Sequence, residues 1–188
     1  MSSNRRICSA VSAVSAGRIA AVGVFALIVT ACGARQPPPP PRSSFVLPSA
    51  AMSLTPALYV NLIGNISLFA VRASEIMLER STDGRVRDAA RQVIDGQKGV
   101  AAQLSIAGRR VDLLPDAALT AEMDADLERL RTSAAPEADY RALMINALSR
   151  GSAAHETFAR AGTSPTLRPV AQMAAPVTRR NLEAVRGR

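Results

Sequence analysis

From Thr55 to the C-terminus the apolar residues recur at steps of three and four, and no stretch alternates as a half-buried strand does. That period marks one face of a helix, so this part of the chain can bury its apolar surface only by packing helices on one another. The first stripe runs Leu58, Leu62, Ile66, Phe69, Ala73, Ile76 and Met77, behind Thr55-Pro56, a capping residue followed by a proline suited to the first helical position. Ser81-Thr82-Asp83-Gly84 interrupts it and caps a second stripe of Val86, Ala89, Ala90, Val93, Val100, Ala101 and Leu104. Inside that second helix lies Asp95-Gly96-Gln97-Lys98-Gly99. Each interior glycine costs about 1 kcal/mol relative to alanine, which predicts a kink or break near Gly96.

Gly108 and Leu114-Pro115 close the second element, and a shorter acidic helix is expected from about Asp116 to Thr132, with Leu119, Met123, Leu127 and Leu130 on one side. A fourth helix opens at Ala135-Pro136 with the stripe Tyr140, Met144, Ala147, Leu148, Gly151, His155 and Phe158. The last carries Leu167, Val170, Ala171, Ala174, Val177 and Leu182, with Pro176 inside it and expected to bend it. The expected fold class is all-α: an antiparallel four-helix bundle with one additional short helix. Aromatic residues make up 3% of the chain, so the core must be mostly aliphatic.

The 188-residue chain carries a formal charge of +8, and Lys98 is the one lysine among its 23 basic residues. Its N-terminal end is built differently from the rest. Residues 1–31 contain no acid, place Arg5, Arg6 and Arg18 first, and then run apolar from Ile19 to Thr30. Twelve residues are too few for a membrane-spanning helix, which needs about 20, and suit a signal-peptide core. Val29-Thr30-Ala31-Cys32-Gly33 resembles a bacterial lipobox. That resemblance implies cleavage before Cys32, a diacylglycerol on its sulfur and an acylated new amino terminus. An ordinary signal peptide that happens to contain a cysteine is the alternative. Gly33 in place of an aspartate implies, by the same resemblance, delivery to the outer membrane.

Losing residues 1–31 would remove three arginines and no acids, leaving 20 basic against 15 acidic side chains, or +5. Cysteine stands only at positions 8 and 32, so neither a disulfide framework nor a thiolate metal cluster is available. Pro37 to Pro41 favour a polyproline II spacer of roughly 15 Å. The expected division is a signal peptide over 1–31, a lipidated cysteine and proline-rich tether over 32–52, and a helical bundle over 53–188. No RNA-binding aromatic motif, zinc-finger spacing or basic block is present, and no nucleic-acid partner is expected. The arginines remain candidates for phosphate or anionic lipid, or reflect an arginine-for-lysine habit of the genome.

Over residues 56–187 the order of motifs resembles a bacterial family of unknown function labelled "predicted outer membrane protein". The resemblance lies in Leu68-Phe69-Ala70-Val71-Arg72-Ala73-Ser74-Glu75, in Val86-Arg87-Asp88-Ala89-Ala90, in Leu114-Pro115, in Glu137 with Tyr140, and in Pro176. It implies a ferritin-like four-helix bundle. It also implies positions where relatives carry metal-ligand residue types and this chain does not: Ala70 for an acid, Asp95-Gly96 for Asp-His, and Leu148 and Asn181 for histidines. Ferritin-like sites need facing carboxylates and a Glu-x-x-His from two helices.

His155, the one histidine, lies on the apolar stripe of helix four. It reads either as a hydrogen-bonded core residue or as a surviving ligand or base oriented by Glu75 or Asp95, and these three are the candidate metal residues. Glu75 and Glu79, one turn apart, suit half of a carboxylate site or a solvated face beside Arg72 and Arg80. Glu122, Asp124, Asp126 and Glu128 lack the glycine and spacing of a calcium loop. Tyr140 is expected to hold its hydroxyl at the surface. Taken together, these features suggest a lipid-anchored envelope lipoprotein facing the periplasm, non-catalytic and without a cofactor, serving interaction or stress response. It would meet the membrane through lipid on Cys32. A carboxylate and histidine metal-binding or oxidase-like relative of ferritin is the alternative.

Overall fold

The computed structural model describes residues 54–116 and 118–187. The expected signal segment, Cys32 and the tether lie outside these. The described residues form five helices: α1 (Pro56–Arg80), α2 (Gly84–Arg109), α3 (Ala121–Thr132), α4 (Pro136–Ala161) and α5 (Arg168–Arg186). Among the described residues there is no strand. The architecture is an all-α bundle in which α1 packs on α2 and α4, and α5 packs on α2 and α4. Each of the four long helices runs antiparallel to its two neighbours. Residues 110–135, including α3, carry the chain back along the bundle from the end of α2 to the start of α4, with α3 lying on α1 and α4.

Local chemistry sets the boundaries. The Thr55 hydroxyl accepts from Leu58 N, and Asp83 accepts from Arg85 N and Val86 N to open α2. Thr120, not Asp116, caps α3 by accepting from Met123 N. The expected start near Asp116 is therefore five residues early. The segment before Thr120 is held instead against α1: Asp116 N donates to Asn61 Oδ1 (3.3 Å), and Pro115 lies so close to Gly64 that a Cβ there would come within 2.4 Å of it.

α2 runs unbroken through Gly96, against the expected break. A Cβ at Gly96 would meet the Asn181 amide at 2.5 Å, so the missing side chain is what lets α2 and α5 close on each other. Packing outweighs the roughly 1 kcal/mol propensity cost. α5 likewise continues past Pro176.

The apolar core falls into two clusters. One holds Tyr59, Val60, Ile63, Val100, Leu104, Phe158, Leu167 and Val170, where α1 and α5 begin and α2 and α4 end. The other holds Ile66, Phe69, Met77, Val93, Leu127, Leu130, Tyr140, Met144, Leu148 and Leu182 towards the opposite end. The helix-four stripe is buried as expected. On α1 Ile66, Phe69, Ala73, Ile76 and Met77 are buried as expected, but in the first turns Leu58 is 52% exposed, whereas Tyr59, Val60 and Ile63 are buried. α1 is long and apolar enough to cross a membrane by length and composition, but that apolar surface is largely covered by its neighbours in the bundle.

Candidate functional site

Three buried polar layers cross the bundle, each contributed to by α1. Tyr59, Ser67 and Ser74 follow at spacings of eight and seven residues, about 12 and 10.5 Å along the helix, and so project to the same interior side.

In the first layer, Tyr59 Oη and His155 Nδ1 lie 3.0 Å apart, a hydrogen bond in either imidazole tautomer. The Tyr59 ring stacks on Phe158 at 4.1 Å and 11°, and meets the His155 ring edge-on. Both partners are shut from solvent. Desolvation lowers the His155 pKa to about 4 and raises that of Tyr59. At neutral pH this is a neutral pair in an aromatic setting, with no carboxylate to orient or charge the imidazole.

The second layer sits where the two apolar clusters meet. Ser67 Oγ donates to Gln97 Oε1 (3.0 Å), and Gln97 Nε2 donates to Thr178 Oγ1 (3.5 Å), tying α1, α2 and α5 together. One turn on, Asn181 is buried against Gly96, and its Nδ2 has no partner among the described residues. In the third layer the Ser74 and Tyr140 hydroxyls are 2.9 Å apart. Burial pushes the Tyr140 pKa up to about 12, with the Ser74 bond opposing it. The expectation of a surface hydroxyl at Tyr140 is thus corrected: its ring enters the core of the first turn of α4 and its hydroxyl needs a buried partner.

The candidate metal residues do not converge. Glu75 is exposed and lies 3.5 Å from Lys98 on α2. Asp95 is exposed at the rim of a shallow depression shared with Arg180 and Asn181. His155 is in the interior with Tyr59. Neither carboxylate orients the imidazole, because both occupy outward positions of their helices. Glu79 is on the solvated face, and Arg72 pairs with Asp124 at 3.9 Å. Asp126 and Glu128 are held by Arg129 and Arg131 of the same helix. Glu156 turns outward to Arg179 (2.7 Å), whose hydrogen bond lowers its pKa. Among the described residues no group of three His, Cys, Asp or Glu side chains is arranged to hold a metal ion. Cys32 lies outside them.

Of the positions that depart from the family pattern, Ala70 and Leu148 are apolar core and Asn181 is buried. The layers themselves were missed from sequence. The available signal was the placement of both tyrosines and the one histidine at buried helical positions, with serines seven apart on α1.

Comparison with known proteins supplies the remaining findings. Residues 43–187 match the family model described as "Domain of unknown function (DUF4142)". No curated protein matches. Among solved structures, the crystal structure of a DUF305 fragment from Deinococcus radiodurans is similar, with a TM-score of 0.61 and 20% identity over 70% of this chain and 93% of that one. At that identity the likeness concerns the fold.

Proposed function

Because the chain belongs to the DUF4142 family of domains of unknown function, we propose that it is a lipid-anchored, non-catalytic bundle of the cell envelope. It is an outer-membrane lipoprotein that faces the periplasm and serves as an interaction or stress-associated module. The observation that carries the non-catalytic part is the pairing of buried polar groups with one another: Tyr59 with His155, Ser67 with Gln97 and Thr178, and Ser74 with Tyr140. A catalytic or metal site needs such groups turned towards a space that a ligand enters. Here these three sets join helix to helix, and of the remaining buried side-chain polar atoms only Asn65 Oδ1 and Asn181 Nδ2 are without a partner among the described residues. The single long crossover that contains α3 supports reading the bundle as a ferritin-like scaffold.

The anchor rests on the lipobox-like Val29-Thr30-Ala31-Cys32 and the proline-rich stretch behind it. One acyl chain holds a protein only marginally and two or more hold it stably, so a diacylglycerol together with an amide-linked chain suffices. The reading is tested by mass spectrometry of the chain expressed with its own leader in a Gram-negative host. The expected product begins at Cys32, carries the mass of diacylglycerol plus one acyl chain, and fractionates with the outer membrane; Cys32→Ser abolishes both. A chain that retains residues 1–31, or ends its processing elsewhere with an unmodified Cys32, refutes the anchor.

A further inference from the structure

The two ends of the bundle differ in how many acids accompany their arginines and in their exposed large apolar side chains. α1 and α5 begin, and α2 and α4 finish, at one end. Leu58 in the first turn of α1, Ile106 in the last turn of α2 and Met173 in the second turn of α5 are 52%, 41% and 40% exposed there. Ile106 and Met173 flank one depression together with Arg110 and Pro169. Arg109, Arg110, Arg160 and Arg168 are exposed at this end, and among the described residues none of them is in an ion pair, although Arg168 Nε donates to Ala159 O (3.4 Å) and Arg160 lies near enough to Glu156 to favour its charge. Across residues 54–62, 103–113 and 157–173 there is one acid, Asp112.

At the opposite end Arg85, Arg141 and Arg186 are also exposed and outside any ion pair among the described residues, but they stand among Asp83, Asp88, Glu137, Asp139 and Glu183, and other arginines there are paired or tied down. Arg91, Arg129 and Arg131 pair with Asp88, Asp126 and Glu128, while Arg80 and Arg87 donate to main-chain carbonyls. Exposed apolar side chains combined with uncompensated arginines are the surface that an anionic bilayer complements, apolar groups entering the headgroup boundary and guanidinium groups meeting phosphate. The chain preceding Pro56 joins the bundle at this same end.

We propose that this end of the bundle, through Leu58, Ile106 and Met173 with Arg109, Arg110, Arg160 and Arg168, docks on an anionic phospholipid surface. The proposal rests on the lipid-anchor reading for its orientation. With the anchor set, the bundle is joined covalently to the lipid surface, which raises the local concentration of that surface, so that a weak contact is populated. Each arginine near an anionic membrane shifts the docked-to-undocked ratio by about fivefold.

The test uses the processed, full chain reconstituted through its own N-terminus into phosphatidylcholine vesicles with and without phosphatidylglycerol. A nitroxide is placed at Ile106→Cys, with Glu137→Cys at the opposite end as control. In the anionic vesicles the 106 label is expected to become accessible to lipid-dissolved oxygen and shielded from an aqueous nickel chelate, while the 137 label stays in water. Arg109→Ala with Arg110→Ala should lower the docked ratio about 25-fold, and high salt should release the label. A 106 label that stays in water on both vesicle types overturns the proposal, as does spin–spin broadening independent of lipid, which would mark pairing with a second copy. Mass spectrometry of the same sample keeps the two readings apart. Acylated Cys32 with a water-facing label sinks the docking surface alone. Unmodified Cys32 sinks the anchor alone, and the label on the chain mixed with vesicles then decides the surface.

Discussion

Acid should destabilise this bundle largely through one buried side chain. His155 is buried beside Tyr59 and has a pKa of about 4 in the folded chain, against an ordinary value of 6.5, because burial disfavours the imidazolium. Between those two values the unfolded chain binds a proton that the folded chain does not, so stability is fully present above about pH 7 and falls as the pH is lowered. The shift caps the loss at about 3 kcal/mol, and roughly 2 kcal/mol of it is expected between pH 7 and pH 5. Urea unfolding followed by circular dichroism at the two pH values measures it, as a midpoint displacement of about 1 M. His155→Gln keeps a polar group facing Tyr59 without a titrating ring. Its absolute stability is lower, but its midpoint should move less between pH 7 and pH 5 than that of the parent chain, because the carboxylates contribute equally to both and only the imidazole differs. An equal pH slope in the two proteins would refute the reasoning, since the buried neutral imidazole would then contribute nothing to acid sensitivity.

Two further predictions concern the other polar layers. Gly96→Ala should destabilise by about 1–3 kcal/mol, despite the roughly 1 kcal/mol propensity gain, because its Cβ would collide with Asn181. In an Asn181→Ala background the same substitution should stabilise by about 1 kcal/mol, and thermal melts of the four chains in the cycle reveal whether that sign changes. Tyr140→Phe strands the buried Ser74 hydroxyl and should cost about 1–2 kcal/mol, with part of the loss recovered in Ser74→Ala/Tyr140→Phe.

The helices were legible because their punctuation is local. Thr55-Pro56, Asp83-Gly84 and Ala135-Pro136 act on their own first turns, and the observed helices begin there. The α4 stripe was legible because one face of a straight helix stays buried from Tyr140 to Phe158. What escaped depends on distant partners. Gly96 reads as a breaker until Asn181, 85 residues later, is placed against it. Ser67 and Gln97 carry no local signal of burial, because their hydrogen-bond partners lie on other helices. Leu58 was assigned inward on hydrophobicity, yet Tyr59 occupies the interior, stacked on Phe158. The candidate metal set failed for a similar reason. Periodicity places Glu75, Asp95 and His155 on helices that pack together, but only the burial of each position shows two facing solvent and one facing the core.

The central claim is that the buried polar side chains hold helices together and bind no ligand. The most direct measurement is elemental analysis of the processed chain, purified without a histidine tag after incubation with iron, manganese and zinc. The account predicts no stoichiometric metal, with the helical circular dichroism spectrum intact. One metal per chain, lost on His155→Ala while the fold persists, would contradict it.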